Sequence, residues 1–367
     1  MSSENSVVFI LRHFTVGGLE RVVLTQVTLL LDQGFDVTVV VVHPGRDNAL
    51  IGELDERARL VSLPASPVRR LAVLRRTTAG RVVLLHFGDG KLFITLRPAL
   101  TAARSVIRFC HSDYAHLRNG LKNRVDRLLS RSEDRIVAVG GRSTRFLLDD
   151  VGVDRRKVDT LPNAIPPGPS GSSRPEGAVW RRHEGRDAAH LIVSVASFYP
   201  HKGHEMLLRG FAEILRHEPD SVLALVGDGS ETIALWQTAR DLGVLARVRW
   251  LGAVWNREVV RGVLAEADVF VSMSRFEGIP ISVLEAGEHH LPMVLTDIPG
   301  HRDGAGEHAS YVAVDDYRSF ADKVVETLRG GAADRRPVDS AAAWERYARH
   351  LVDTVREAGV GAGKVTR

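Results

Sequence analysis

Cysteine is almost absent from this chain of 367 residues, where Cys110 is the only one. A single thiol forms no internal disulfide and cannot fill a multi-cysteine zinc site, which excludes a disulfide-stapled secreted scaffold and fits a reducing cytoplasm. Long hydrophobic runs are missing as well. None approaches the roughly 18 residues that cross a bilayer, and the first apolar run, Val7–Leu11, is stopped by Arg12 and His13, too short for the core of a signal peptide. A soluble cytoplasmic protein is expected, one that at most touches a membrane from its surface. There is no Asp-x-Asp pair and no His-Glu-x-x-His, and consecutive residues such as Glu288, His289 and His290 point apart on a helix, so no metal is expected.

What is present is ordinary globular usage, with 44% apolar and 26% charged residues, 33 Gly and 15 Pro. The length asks for two domains, because one compact core seldom grows so large. The net charge of +4 is unevenly spread: residues 1–165 carry 25 Lys and Arg against 17 Asp and Glu, a net +8, which leaves a net −4 on the rest. Such asymmetry can mark a nucleic-acid or anionic-membrane partner. No arginine-rich tract or nucleic-acid signature accompanies it, so nucleic acid is not expected.

Continuous Val/Ile/Leu runs alternate with helical periods along the chain, the pattern of a parallel sheet buried on both faces. Val7–Leu11, Asp36–Val42, Val82–Phe87, Ser105–Cys110 and Arg135–Val139 read as strands, with helices over Leu19–Gln33, Lys91–Ala103, His116–Ser130 and Arg142–Val151. A Pro/Gly/Ser-rich stretch between Pro162 and Gly185 reads as a linker. After it the rhythm restarts from Leu191 to Thr296, followed by a long terminal helix over Ala341–Ala358 and a frayed tail. The expected division is an α/β domain over 1–165, a linker over 166–188, a second α/β domain over 189–340 and a terminal helix and tail over 341–367. Ligands of such sheets bind at the C-terminal strand ends, which places the expected site in a cleft between the two domains.

Several features sit at those ends. Glu277 and Glu285 are separated by seven residues, and Gly278 and Pro280 between them mark a helix start, where backbone N–H groups and the positive dipole end suit a phosphate. About 12 Å of ideal helix rise separates such glutamates, more than the roughly 5–9.5 Å between the carboxyl groups of a glycosidase. Carboxylates that accept from paired hydroxyls suit ribose or a hexose. Lys202, in Pro200-His201-Lys202-Gly203, stands where an ammonium can meet a diphosphate, and Gly17-Gly18 where backbone can approach one. His111, followed by Ser112 and Asp113, ends a strand and can act as a hydrogen-bond partner or a base. Taken singly, each has a plain structural explanation: a charge at a helix start, a solvated helix face, a surface-loop lysine, a turn glycine, a loop histidine.

In combination and order, these motifs resemble the retaining glycosyltransferases of family 4, which have the GT-B architecture of two Rossmann-like domains. The resemblance runs through Gly17-Gly18-Leu19-Glu20-Arg21-Val22-Val23, Gln33–Val39, Val139-Gly140-Gly141-Arg142-Ser143, Leu161-Pro162-Asn163-Ala164-Ile165, Lys202-Gly203, Val226-Gly227-Asp228-Gly229, Leu251-Gly252-Ala253-Val254 and the Glu277/Glu285 pair. It covers nearly the whole chain. It implies a nucleotide-diphosphate sugar donor on the C-terminal domain and a hydroxyl acceptor on the N-terminal one. Glu285 would hold the ribose hydroxyls, Glu277 the donor-sugar hydroxyls, and Lys202 the diphosphate. Backbone at Gly18 and over Gly278, Ile279, Pro280 and Ile281, beside Gly17, would complete the phosphate cradle; Val254 would contact the base, and His111 would face the donor sugar. No cofactor is implied.

Two positions depart from the family pattern. Ala196 and Ser197 stand where an arginine usually joins the lysine, so either another basic residue enters, Arg275 or an N-domain arginine, or the donor is held differently. Pro-Asn-Ala replaces Pro-Asn-Gly at Pro162–Ala164. The alternatives to a transferase are a nucleotide-sugar epimerase or hydrolase and a non-catalytic nucleotide-sugar-binding subunit. The basic residues Arg69, Arg70, Arg75, Arg76, Arg118, Lys122, Arg124, Arg127 and Arg131 are either solvated helix faces or a contact with anionic lipid.

Overall fold

The computed structural model describes residues 5–15, 17–43, 49–87, 90–111, 120–168, 180, 182–183, 186–330 and 340–360. The chain forms two compact units, one of Met1–Asn163 with Ala343–Arg367, the other of Ala164–Ala342.

The first unit is built on seven parallel strands: β1 (Ser6–Leu11), β2 (Asp36–Val41), β3 (Arg59–Ser62), β4 (Val82–His86), β5 (Ser105–Cys110), β6 (Arg135–Ala138) and β7 (Val158–Thr160), in the order 3-2-1-4-5-6-7. Every residue of β1 and β4 is buried, because helices cover both faces, and that is why these strands are apolar without alternation. The helices are α1 (Gly18–Asp32), α2 (Pro67–Thr78), α3 (Gly90–Leu100), α4 (Gly120–Ser130) and α5 (Gly141–Arg145), the last continued by a π-helical turn over Phe146–Val151. Helix α1 ends where Gly34 takes φ +82°: Phe35 N–H reaches the Leu30 carbonyl and Gly34 N–H that of Leu31, with Phe35 and Leu30 both buried. Only glycine adopts that turn without strain, which explains Gln-Gly-Phe before β2.

In the second unit a pair of two-residue antiparallel strands, β8 (Arg182–His183) and β9 (Arg186–Asp187), precedes six parallel strands: β10 (His190–Val195), β11 (Ser221–Val226), β12 (Val248–Gly252), β13 (Val269–Ser272), β14 (Met293–Thr296) and β15 (Ala309–Val312). Their order, 12-11-10-13-14-15, reverses between β10 and β13, as that of the first sheet does between β1 and β4. Both sheets are therefore Rossmann-like, each with a topological switch point. Strand residues divide between two cores: Ile192, Leu223 and Val271 pack beneath α6 (His204–His217), α7 (Thr232–Asp241) and α11 (Tyr317–Gly330), while Val193, Val222 and Phe270 pack beneath α8 (Arg257–Glu266) and α9 (Ile281–Glu288). A short α10 (Pro299–Ala305) links β14 to β15.

The last helix, α12 (Ser340–Val360), packs from Ala343 onward with the first unit rather than standing as a separate tail. Gln26 of α1 donates to the Tyr347 hydroxyl at 2.7 Å, Arg135 pairs with Glu357 at 2.9 Å, and His350 meets Asp159 at 2.7 Å. No described helix is long and apolar enough to cross a membrane. The sequence reading has no counterpart for β3, α2, β7, α10, β15 and α11, although Ser66-Pro67 is a recognisable helix start. Ser112, Asp113, the first turn expected from His116, Arg118 and most of the linker lie outside the described residues.

Candidate active site

In the second unit the switch point gathers two predicted residues. Lys202 closes a 3-10 turn after β10, and Glu277 stands in the loop after β13, the strand paired with β10. Lys202 Nζ donates to Glu277 Oε1 at 2.5 Å, both side chains being largely buried (18% and 11% exposed). Gly203 makes this possible. It sits at φ +67°, and a Cβ there would stand 2.0 Å from the Met273 carbonyl oxygen, so only glycine lets the lysine turn lie against the end of β13. Gly300, at the start of α10, is a second close approach: a Cβ on it would lie 1.8 Å from the Gly278 carbonyl oxygen.

Glu277 is held further from behind. Ser274 Oγ donates to the same Oε1 at 2.9 Å, Thr296 Oγ1 donates to the Ser274 carbonyl at 2.5 Å, and His301 Nδ1 lies 2.8 Å from the Thr296 carbonyl. Burial pushes the Glu277 carboxyl up, but the Lys202 ammonium and the hydrogen bonds outweigh it, so its pKa falls below the ordinary glutamate value. Nearby His204 is buried and neutral, its pKa driven down to about 3 by burial and by the Lys202 charge. The arrangement is an anionic carboxylate and an ammonium, mutually neutralised and aimed at the strand ends.

Just beyond, Pro280 precedes α9, so the N–H groups of Ile281, Ser282 and Val283 have no partner inside the helix, as expected of a phosphate-facing start. Gly278 and Ile279 complete the loop. Glu285, one helical turn from the end of α9, is 3.2 Å from Arg257 Nη2 at the start of α8. Sequence reasoning missed Arg257, whose only signal is its place three residues after Val254. Val254 itself is half-buried against the α8/α9 core. Arg275, expected to replace the absent phosphate-binding arginine, is engaged elsewhere: its guanidinium pairs with Asp315 at 3.0 Å and donates to the Pro200 carbonyl at 2.6 Å. The structure brings together Lys202, Glu277 and Gly278–Ile281, and it gives Glu285 a cationic partner.

The other predicted residues belong to the first unit. Gly17 precedes α1, after β1, and Gly18 is its first residue. Thr15 Oγ1 donates to Glu20 at 3.2 Å across this turn, and burial raises the Glu20 carboxyl above its ordinary value. His111 follows β5 and meets His86, the last residue of β4, with 3.0 Å between His86 Nδ1 and His111 Nε2. His86 was hidden inside an apolar run that reads simply as a strand. Among the described residues no group of three or more His, Cys, Asp or Glu side chains is placed to hold a metal ion.

Comparison with known proteins resolves the family. Residues 16–168 match the Glycosyltransferase Family 4 model and residues 189–330 the Glycosyl transferases group 1 model. The chain belongs to glycosyltransferase family 4. This family 4 glycosyltransferase is 30% identical over 211 residues to EpsF of Bacillus subtilis (strain 168), a match over 54% of this chain and about half (53%) of that relative. It is 22% identical over 307 residues to an Escherichia coli UDP-Gal:alpha-D-GlcNAc-diphosphoundecaprenol alpha-1,3-galactosyltransferase, covering 78% of each. Anabaena Alr3699/HepE, solved in complex with UDP-glucose, shares the fold with a TM-score of 0.77 at 15% identity, over 97% of this chain and 98% of that one.

Proposed function

We propose that this family 4 glycosyltransferase moves a hexose from a nucleotide-diphosphate sugar to an acceptor hydroxyl with retention at the anomeric carbon, in the biosynthesis of a cell-surface glycan or a glycosylated natural product. The observation that carries the proposal is the Lys202–Glu277 pair at the switch point, beside the first turn of α9. Donor binding gives each partner a better one. Lys202 turns to the diphosphate, and the released Glu277 oxygen accepts donor-sugar hydroxyls. Glu285 accepts from the ribose hydroxyls, backbone near Val254 meets the base, Gly18 and Gly278–Ile281 line the phosphates, and His111 hydrogen-bonds the sugar.

The transfer needs no protein nucleophile. The acceptor oxygen bonds to the anomeric carbon on the face from which the diphosphate departs. The bond from that carbon to the phosphate oxygen breaks with its electron pair on the phosphate, and that oxygen takes the acceptor's proton. The catalytic demand is charge neutralisation at the departing diphosphate, a preorganised electrostatic role that suits Lys202 and the α9 amides. The proposal assigns no step to a metal or other cofactor, so turnover is expected to persist in a chelator. NMR of the product tests the stereochemistry: the donor's anomeric configuration is expected, and its inversion would overturn retention. Nucleotide-sugar binding without nucleotide release, whatever the acceptor, would make the chain a binding subunit instead.

The proposal includes a place of work, the inner face of a membrane with anionic lipid. On α4, Leu121, Val125 and Leu128 are exposed (71%, 38% and 60%) and share one helical face, with Lys122 on one side, Arg124 on the other and Arg131 just past the helix end. An apolar stripe between basic flanks fits an interfacial helix, and each Lys or Arg near such a surface adds about 1 kcal/mol. Vesicle co-sedimentation tests this. Pelleting with anionic and not neutral vesicles, lost in Leu121→Asp/Leu128→Asp, is expected, and no pelleting with either would remove the idea.

A further inference from the structure

Among the described residues, His86 is a buried titratable side chain at the C-terminal end of the first sheet to which the reaction above gives no role. It closes β4 next to the switch strand β1, is 1% exposed, and lies parallel between Phe9 (5.5 Å between ring centres) and Phe109 (4.6 Å). The two aromatic rings fix its plane. Its one hydrogen-bond partner among the described residues is His111, and its Nε2 has none.

The proton between the two rings can sit in one of two places. If His111 Nε2 carries it, His86 must keep its own proton on Nε2, as a buried N–H with no acceptor among the described residues. If His86 Nδ1 carries it, His86 Nε2 is a bare lone pair, and an unpaired buried acceptor is tolerated better than an unpaired buried donor. The second arrangement wins. Doubly protonated rings are excluded at neutral pH because burial holds His86 well below the ordinary histidine range and His111 at about 4.

We propose that His86 is a positioning residue that locks His111 in its Nδ1–H tautomer, so that His111 serves the transfer as a fixed neutral hydrogen-bond donor to a sugar hydroxyl and not as a proton acceptor. This rests on the reading that His111 meets the donor sugar. The lone pair a base would need, on His111 Nε2, is already occupied by His86, and the partner of one ring nitrogen sets what the other offers.

Imidazole 15N NMR of the whole wild-type protein tests the lock without any substitution: His111 is expected to be protonated at Nδ1 and bare at Nε2 from pH 6 to 8. In His86→Leu, confirmed as folded by its melting curve, the tautomers are expected to mix and kcat to fall by about three- to tenfold, the worth of one neutral hydrogen bond, with donor KM nearly unchanged. His86→Asn places an amide donor near the lost Nδ1 and is expected to recover most of both. A proton on His111 Nε2 in the wild type, or an unchanged tautomer and rate in His86→Leu, would overturn the proposal. A wild-type rate in His111→Ala would instead overturn the reading that His111 meets the sugar, and with it the catalytic half of the proposal.

Discussion

Lys202 and Glu277, 75 positions apart in sequence, meet at 2.5 Å because their strands, β10 and β13, are neighbours at the point where the strand order of the second sheet reverses. The pair is the electrostatic centre of the proposed donor site. It is also buried enough for its removal to be read in stability as well as in turnover.

Replacing the lysine by an uncharged side chain of similar length leaves Glu277 buried without its cation. Removing one partner of a buried pair costs about 3–5 kcal/mol, so Lys202→Met is expected to lower the melting temperature clearly at pH 7. The sign with pH follows from Glu277. Its folded pKa is depressed, so the pair's stabilisation is present above the ordinary glutamate range and is lost as pH falls through the folded value. In the variant the isolated carboxyl favours protonation, so acid relieves it. The melting-temperature gap between wild type and Lys202→Met is expected to narrow from pH 7 to pH 4; calorimetry at the two pH values checks this, and a constant gap would deny the pair its role.

Glu285→Ala is expected to give the greatest loss of nucleotide affinity of any single change in the second unit, since a carboxylate accepting two hydroxyls makes charge-assisted bonds worth about 1.5–3 kcal/mol. Titration calorimetry with free nucleoside diphosphate measures it as a roughly ten- to hundredfold weaker Kd. Arg257→Ala, which removes the guanidinium 3.2 Å from Glu285, is expected to change affinity by less.

Gly300→Ala adds a methyl group where the Gly278 carbonyl oxygen would be 1.8 Å away. Backbone cannot yield there without moving the Glu277 loop. The expected cost is about 1–3 kcal/mol, with weakened donor binding, readable from melting curves with and without nucleotide. Ala substituted at Gly120, which has open space around it, is the control and is expected to leave donor binding unchanged.

Tyr347→Phe removes the acceptor of the buried Gln26 amide, which it meets at 2.7 Å. An orphaned buried donor costs about 1–3 kcal/mol, so urea unfolding should shift accordingly. A neutral outcome would mean that this hydrogen bond adds nothing net to the hold on α12.

The two sheets were legible because strands covered on both faces become uninterrupted apolar runs, as in Val7–Leu11 and Val222–Val226. Short edge strands such as β3 and β7 were not: β3 is mostly exposed and β7 is three half-buried residues, leaving little pattern to read. The stripe of Tyr347, Leu351 and Val355 shows that one face of α12 is buried, but periodicity does not say against what, and its return to the first unit appears only in three dimensions. In the site, Lys202, Glu277 and the start of α9 were legible as types at strand ends. Their contact was not, because it depends on strand order. Arg275 looked available for a phosphate by proximity in sequence, and Asp315, 40 positions away, holds it. His86 reads as one more strand residue, and its only signal is that a histidine closes an apolar run at the same C-terminal sheet edge as His111.

Nucleotide release from a panel of nucleotide-diphosphate sugars, measured side by side for the wild type and Lys202→Ala, tests the central claim most directly. The wild type is expected to release a nucleoside diphosphate from at least one donor, and the variant to do so about ten- to a hundredfold more slowly. Equal rates in the two proteins, or no release by the wild type from any donor, would contradict it.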